Sequence, residues 1–167
     1  MIIIIEGVDG TGKSTIVNEL VNKGFETTHN PYDYKTINVF DKYYRSINDI
    51  KPYVNIVFDR SFFSEIVYGR VYRNRSRITQ EEFRLLLSLL ELKKSVLIVY
   101  LEASNEDLRL RRPFDHIMHD KIYQLMGEYD LLMTYASSKV DVVRINTSNS
   151  SVENVLHKLL HIIKKGV

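Results

Sequence analysis

The sequence has no cysteine, which excludes disulfide frameworks, thiolate metal sites and thiol nucleophiles at once. Proline is scarce too. The three prolines, Pro31, Pro52 and Pro113, stand far apart, and each interrupts a patterned stretch. No repeat, low-complexity tract or long linker divides the 167 residues, so one domain over 1–167 is expected, large enough to bury a core. Charge of one sign is nearly absent in excess: the formal net charge is +2, too mild to imply nucleic-acid binding. The amino-terminal apolar run, residues 2–5, meets Glu6 at once and is neither a signal peptide nor a membrane span. A cytoplasmic protein with no membrane or nucleic-acid partner is the expectation.

What the chain does have is the stretch 7–14, GVDGTGKS, directly behind that apolar run. It fits GxxxxGK[ST] between a strand-like and a helix-like segment, the context this motif requires. A strand that turns through glycines into a helix aims backbone N–H groups into a concavity at the positive end of the helix dipole. Gly7, Gly10 and Gly12, with Thr11, Ser14 and Thr15, would cradle the phosphates of a nucleoside triphosphate. Lys13 would reach the β- and γ-phosphates, and the Ser14 hydroxyl would ligate Mg²⁺.

Along the chain, apolar runs at 25–28, 54–58, 95–101 and 141–146 alternate with helical patterns, making five strands with the first. The helices are expected at 15–23, 34–47, 61–73, from the capping box Thr79–Glu82, 105–111 after a Ser104 cap, 115–137, and from a second box Ser150–Glu153. Residues 29–32 are expected in a turn. Such alternation predicts an α/β fold of the P-loop NTPase type: a three-layer sandwich with a five-stranded parallel sheet and helices on both faces. Ligands bind beyond the carboxyl ends of such strands. The P-loop, Asn30-Pro31, Asp59-Arg60 and residues 146–149 all fall there.

At that rim Asp59 would hold Mg²⁺, or more plainly cap the helix that follows. Arg60, unable to share its face, suits capture of a second phosphate. Arg109, Arg111 and Arg112 precede Pro113 and form an arginine-bearing lid over about 109–120; the plainer alternative is a solvated basic helix end. His116 and His119 lack an evident third metal ligand and are expected on an exposed helix start. The run Arg70, Arg73, Arg75, Arg77 is expected to be a solvated loop.

These motifs resemble the thymidylate kinase family of nucleoside monophosphate kinases. Residues 5–15, IEGVDGTGKST, are similar to that family's P-loop. Asp59-Arg60 with Ser64 and Tyr68 keeps the spacing of its DRY-x-x-S-x-x-A-Y segment. Residues 101–104 before the lid and 145–148 before the last helix match more loosely. The resemblance implies that Asp9 contacts a sugar hydroxyl or the Mg²⁺ shell and that Arg60 binds the acceptor monophosphate. Ser64 and Tyr68 would line the base pocket, which Arg45 and Phe40 would face, Phe40 either stacking on the base or packing as a buried structural residue, and Ser148 would join the donor site. Some members carry an arginine where this chain has Gly10; those without it rely on lid arginines, so Arg111 or Arg112 would be the catalytic cation. A homodimer is implied as well.

Three departures stand against the family pattern: a short span between the second and third strands, Gly69 in place of a frequent glutamine, and Asn30-Pro31 in place of Glu-Pro. The last separates two enzymes. A deoxynucleoside kinase needs a base for a sugar hydroxyl, whereas a monophosphate is already ionised. Asparagine cannot serve as that base, although Asp33 or Glu6 could be a displaced one. The expected function is therefore Mg·ATP-dependent phosphorylation of a deoxynucleoside monophosphate, dTMP first, with a deoxynucleoside kinase and a non-catalytic nucleotide-binding regulator as alternatives.

Overall fold

Strand β1 (Ile2–Glu6) is buried along its whole length, and its place in the sheet explains why. It lies at the centre, with β3 (Ile56–Asp59) on one side and β4 (Val96–Glu102) on the other, both parallel to it. The short β2 (Glu26–His29) and β5 (Asp141–Asn146) are the two edges, giving the order β2-β3-β1-β4-β5. The computed structural model describes residues 1–29, 35, 37–93 and 95–166.

Period-two alternation divides the core between two faces. Ile2, Ile4, Ile98 and Tyr100 pack against α2 (Val39–Asn48), α3 (Phe62–Arg73), α4 (Gln80–Glu91) and α6 (His116–Ala136), with Leu108 of the short α5 (Asn105–Arg111). Ile3, Ile5, Val57 and Val99 pack on the other face against α1 (Lys13–Val21) and α7 (Val152–Lys165). Three layers follow because the central strands are apolar on both sides. The edge strands are polar where the central ones are not, as an exposed ladder requires: no residue of β2 is buried, and in β5 only Ile145 is.

Three boundaries differ from the expectation. His29 belongs to β2, not to a turn. Helix α2 starts at Val39, because Asn38 is extended and its side chain accepts from Asp41 N at 2.9 Å; Tyr34 and Thr36 of that expected helix and Asn30-Pro31 lie outside the described residues. The last helix is capped by Ser151, which accepts from Asn154 N at 3.3 Å, so the Ser150–Glu153 box does not form. The Thr79–Glu82 box does, in both directions.

The basic run begins in the last turn of α3, and of its arginines only Arg70 and Arg75 are exposed as a solvated run requires. Buried Glu65 accepts from Arg73 and, through Nε and Nη2 at 3.1 and 2.9 Å, from Arg77. A Cβ on Gly69 would meet Arg75 O and Ser76 Cα at 2.9 Å, so the loop lies flat on α3 and leaves no room for a side chain there. Glu65→Ala is expected to lower stability by about 3 kcal/mol, the low end for a broken buried pair. The low end applies because Arg73 and Arg77, 28% and 26% exposed, can turn to solvent. Urea unfolding at pH 7 measures it.

Candidate active site

The P-loop folds around one carbonyl. Val8 O accepts from Thr11 N at 3.3 Å, Thr11 Oγ1 at 2.9 Å and Lys13 Nζ at 2.8 Å. Lys13 is buried, and burial, seconded by the Arg60 charge, lowers its ammonium to about 7. An unfolded lysine holds its proton to about 10.4. The buried charge therefore destabilises the fold in full below pH 7, and this penalty fades as pH rises toward 10. Lys13→Met is expected to raise the melting temperature at pH 6 and to abolish nucleotide binding, with the thermal gain shrinking by pH 9. The Val8 carbonyl keeps both Thr11 donors in that variant.

Ser14 and Asp59 meet across the α1 side of the sheet: Ser14 Oγ donates to Asp59 Oδ2 at 3.0 Å. That hydroxyl spends its proton on the carboxylate and keeps its lone pairs for a cation. Asp59 Oδ1 is buried and has no hydrogen-bond partner among the described residues, so the carboxylate keeps acceptor capacity beside the Ser14 oxygen, the hard oxygen donors that a divalent ion takes. The pair thus fits the expected Mg²⁺. No cluster of three or more His, Cys, Asp or Glu side chains suited to a metal exists among the described residues, His116 and His119 included.

Arg60 takes the other side. Its φ of 70° is a left-handed conformation rare for arginine, and it turns the guanidinium away from Asp59. There it pairs with Asp9, donates to Ser64 Oγ at 3.1 Å and lies over the Tyr68 ring, 5.1 Å from its centroid. Tyr68 OH donates to Asp9 Oδ2 at 2.9 Å. Burial alone would raise the Asp9 carboxyl, but the charges of Arg60 and Lys13 and the Tyr68 bond outweigh it and hold it below its ordinary value. Beneath this cluster lies Glu6, fully buried, accepting from Ser61 N at 2.7 Å, Ser61 Oγ at 2.9 Å, Ser64 Oγ at 2.6 Å and Tyr129 OH at 3.2 Å. Burial raises its carboxyl against those bonds. Ser64 is therefore a buried link between Glu6 and Arg60.

The lid arginines separate. Arg111 is clamped: its guanidinium donates to Gly10 O at 3.1 Å, Thr147 Oγ1 at 3.0 Å and Thr147 O at 2.7 Å. It walls a cavity of about 260 Å³ with Thr11, Thr15, Ile16, Ser150 and Val152. Arg112 lies on the P-loop itself, its Cγ 3.2 Å from where a Gly10 Cβ would sit, and it pairs with Asp115 at 3.2 Å. A side chain at position 10 would collide with it. Arg109 is a clasp, donating to His119 O at 3.1 Å, while the His119 ring meets Arg112 O at 2.8 Å. His119 is thus buried, not exposed as expected; the α5–α6 turn closes over it.

Three expected residues stand elsewhere. Ser148 Oγ accepts from Ser104 N at 2.7 Å, tying two loops together, and Thr147 and Ser150 line the cavity in its place. Arg45 pairs with Asp41 at 2.9 Å and lines a groove with Glu26, Val54 and Ile56, at the amino ends of the strands and so opposite the P-loop. Phe40 packs on the core and stacks with Tyr44 at 5.9 Å. Thr147, Ser61, Tyr129 and His29 were missed by sequence reasoning. Only Thr147 carried a signal, its place in the polar stretch after β5.

Fold and site define an α/β protein of the P-loop type, a five-stranded parallel sheet between helical layers with a phosphate-binding loop after its central strand. The chain superposes on YorR from Bacillus subtilis, solved in complex with phosphorylated GDP, at a TM-score of 0.81 and 21% identity, covering 98% of this chain and 96% of that one. Thymidylate kinase from Candida albicans matches at 0.68 and 19%, covering 98% and 91%. Deoxyadenosine kinase from M. mycoides with bound dCTP matches at 0.64 and 18%, covering 99% and 100%. At these identities the likeness establishes a common fold. No protein-family model and no curated protein sequence matches the chain.

Proposed function

We propose that the protein transfers the γ-phosphoryl of ATP to a deoxynucleoside monophosphate, with dTMP the first candidate. The observation that carries this reading is the disposition of acids and arginines around Lys13. Asp9 is committed to Arg60 and Tyr68, Asp59 to Ser14, and Glu6 to Ser61 and Ser64. No carboxylate among them is placed to deprotonate a sugar hydroxyl, whereas a guanidinium with its orientation locked is suited to an acceptor that arrives ionised. Asp33, the sequence's other candidate base, lies outside the described residues.

In this reading the P-loop amides and Lys13 bind the β- and γ-phosphates, and the Arg111 cavity takes the donor nucleoside. Arg60, held by Asp9 and Ser64, orients the acceptor phosphate, and Arg112 approaches the phosphoryl from the lid. Ser14 and, through water, Asp59 would hold Mg²⁺, which supplies charge neutralisation at the phosphates. Catalysis is then alignment plus electrostatic stabilisation. YorR with its guanine nucleotide and the two kinases with their named substrates support a nucleotide phosphotransferase of this architecture.

The test is acceptor profiling with ATP and Mg²⁺. Turnover of dTMP or another monophosphate, with free nucleosides inert, is the expected result. Turnover of nucleosides alone would replace this reading with a deoxynucleoside kinase. Tight ATP binding with no acceptor-stimulated ADP release would leave a nucleotide-binding regulator.

A further inference from the structure

His29 ends the edge strand β2 directly beside Asp59, its register partner at the end of β3. Partners in a parallel ladder share a face, and the two side chains meet: His29 Nδ1 lies 3.1 Å from Asp59 Oδ2. A carboxylate oxygen can only accept, so the imidazole N–H donates. That oxygen already accepts from Ser14 Oγ at 3.0 Å. Two donors on one oxygen use both of its lone pairs and hold the carboxylate by that oxygen, beside Ser14.

We propose that His29 is a positioning residue for the divalent cation of the donor site, pinning the Asp59 carboxylate beside the Ser14 hydroxyl, the two groups that would hold the ion. The inference rests on the triphosphate-site reading above. Without the histidine, Oδ2 keeps only the Ser14 hydroxyl, the same group the ion needs as a ligand, and the carboxylate can rotate between its two oxygens. Orienting partners of this kind are worth about 10- to 100-fold in metal affinity. A packing role does not account for the ring, which is 57% exposed on an edge strand and belongs to neither core.

Mn²⁺ titration in the presence of ADP, followed by electron paramagnetic resonance of the free ion, tests this with the intact protein. His29→Leu should weaken Mn²⁺ about 10- to 100-fold, with ADP affinity in EDTA unchanged. His29→Asn, whose amide N–H can reach the same oxygen, should recover most of the loss. Equal Mn²⁺ affinity in His29→Leu and wild type would overturn the proposal. So would an Asn variant as weak as the Leu one, or a matching loss of ADP affinity in EDTA, which would mean that the ring acts on the nucleotide. If the wild type itself takes up no Mn²⁺ with ADP, the donor-site reading fails first and this inference with it.

Discussion

Arg112→Ala is expected to lower kcat by at least about a hundredfold while the KM for ATP changes little. Arg111→Ala is expected to do the reverse in emphasis, raising the KM for ATP more than it slows turnover. The two neighbours differ in what holds them. Arg111 gives its donors to Gly10 O and to both oxygens of Thr147, which makes it a wall of the cavity proposed for the donor. Among the described residues Arg112 has one ion-pair partner, Asp115 at 3.2 Å, and it is 49% exposed. Its charge is felt by Asp9 across the P-loop. An arginine that meets a transferring phosphoryl contributes about 10³–10⁵ in rate, some 4–7 kcal/mol of barrier. A hundredfold is the lower bound, because Arg111 stays nearby in the variant. Steady-state kinetics with ATP varied would reject the assignment if Arg112→Ala kept wild-type turnover, or if Arg111→Ala alone abolished it.

Arg60→Ala should raise the acceptor KM by at least about tenfold, since a charged hydrogen bond is worth about 1.5–3 kcal/mol, and should slow catalysis too. Arg60→Lys should not restore it. The site holds the guanidinium by its fork, with Asp9 on one nitrogen, Ser64 on another and the Tyr68 ring beneath, and an ammonium cannot copy that plane. The left-handed backbone at residue 60 implies that the surroundings override a local preference of about 1–2 kcal/mol. An unchanged acceptor KM in Arg60→Ala would remove this residue from acceptor binding.

The failures of sequence reasoning share a cause. Arg45 was assigned to the site through its helix, yet it faces the opposite end of the sheet. Ser148 was assigned through its loop, yet its neighbour Thr147 holds Arg111. In both cases the element was right and the side chain's direction was not, because direction depends on helix phase and loop path. The solvated reading of the 70–77 run failed at Arg73 and Arg77 for a related reason. Its counter-charge, Glu65, lies eight residues before Arg73 on the same helix and twelve before Arg77, which only the turn after α3 brings back.

Sequence alone determined the strand–helix alternation, the P-loop and the acidic and arginine residues at the strand ends, because hydrophobic period, glycine placement and capping are local properties. It could also justify Gly69 as a departure without explaining it. Tertiary structure decided which polar groups meet: Asp9 with Arg60, Asp59 with Ser14 and His29, Glu6 with Tyr129. Those contacts span β1, α1, β2, β3, α6 and the loops after β1 and β3, and hydrogen bonding and ion pairing act through space at a few ångströms, a distance that position along the chain does not encode.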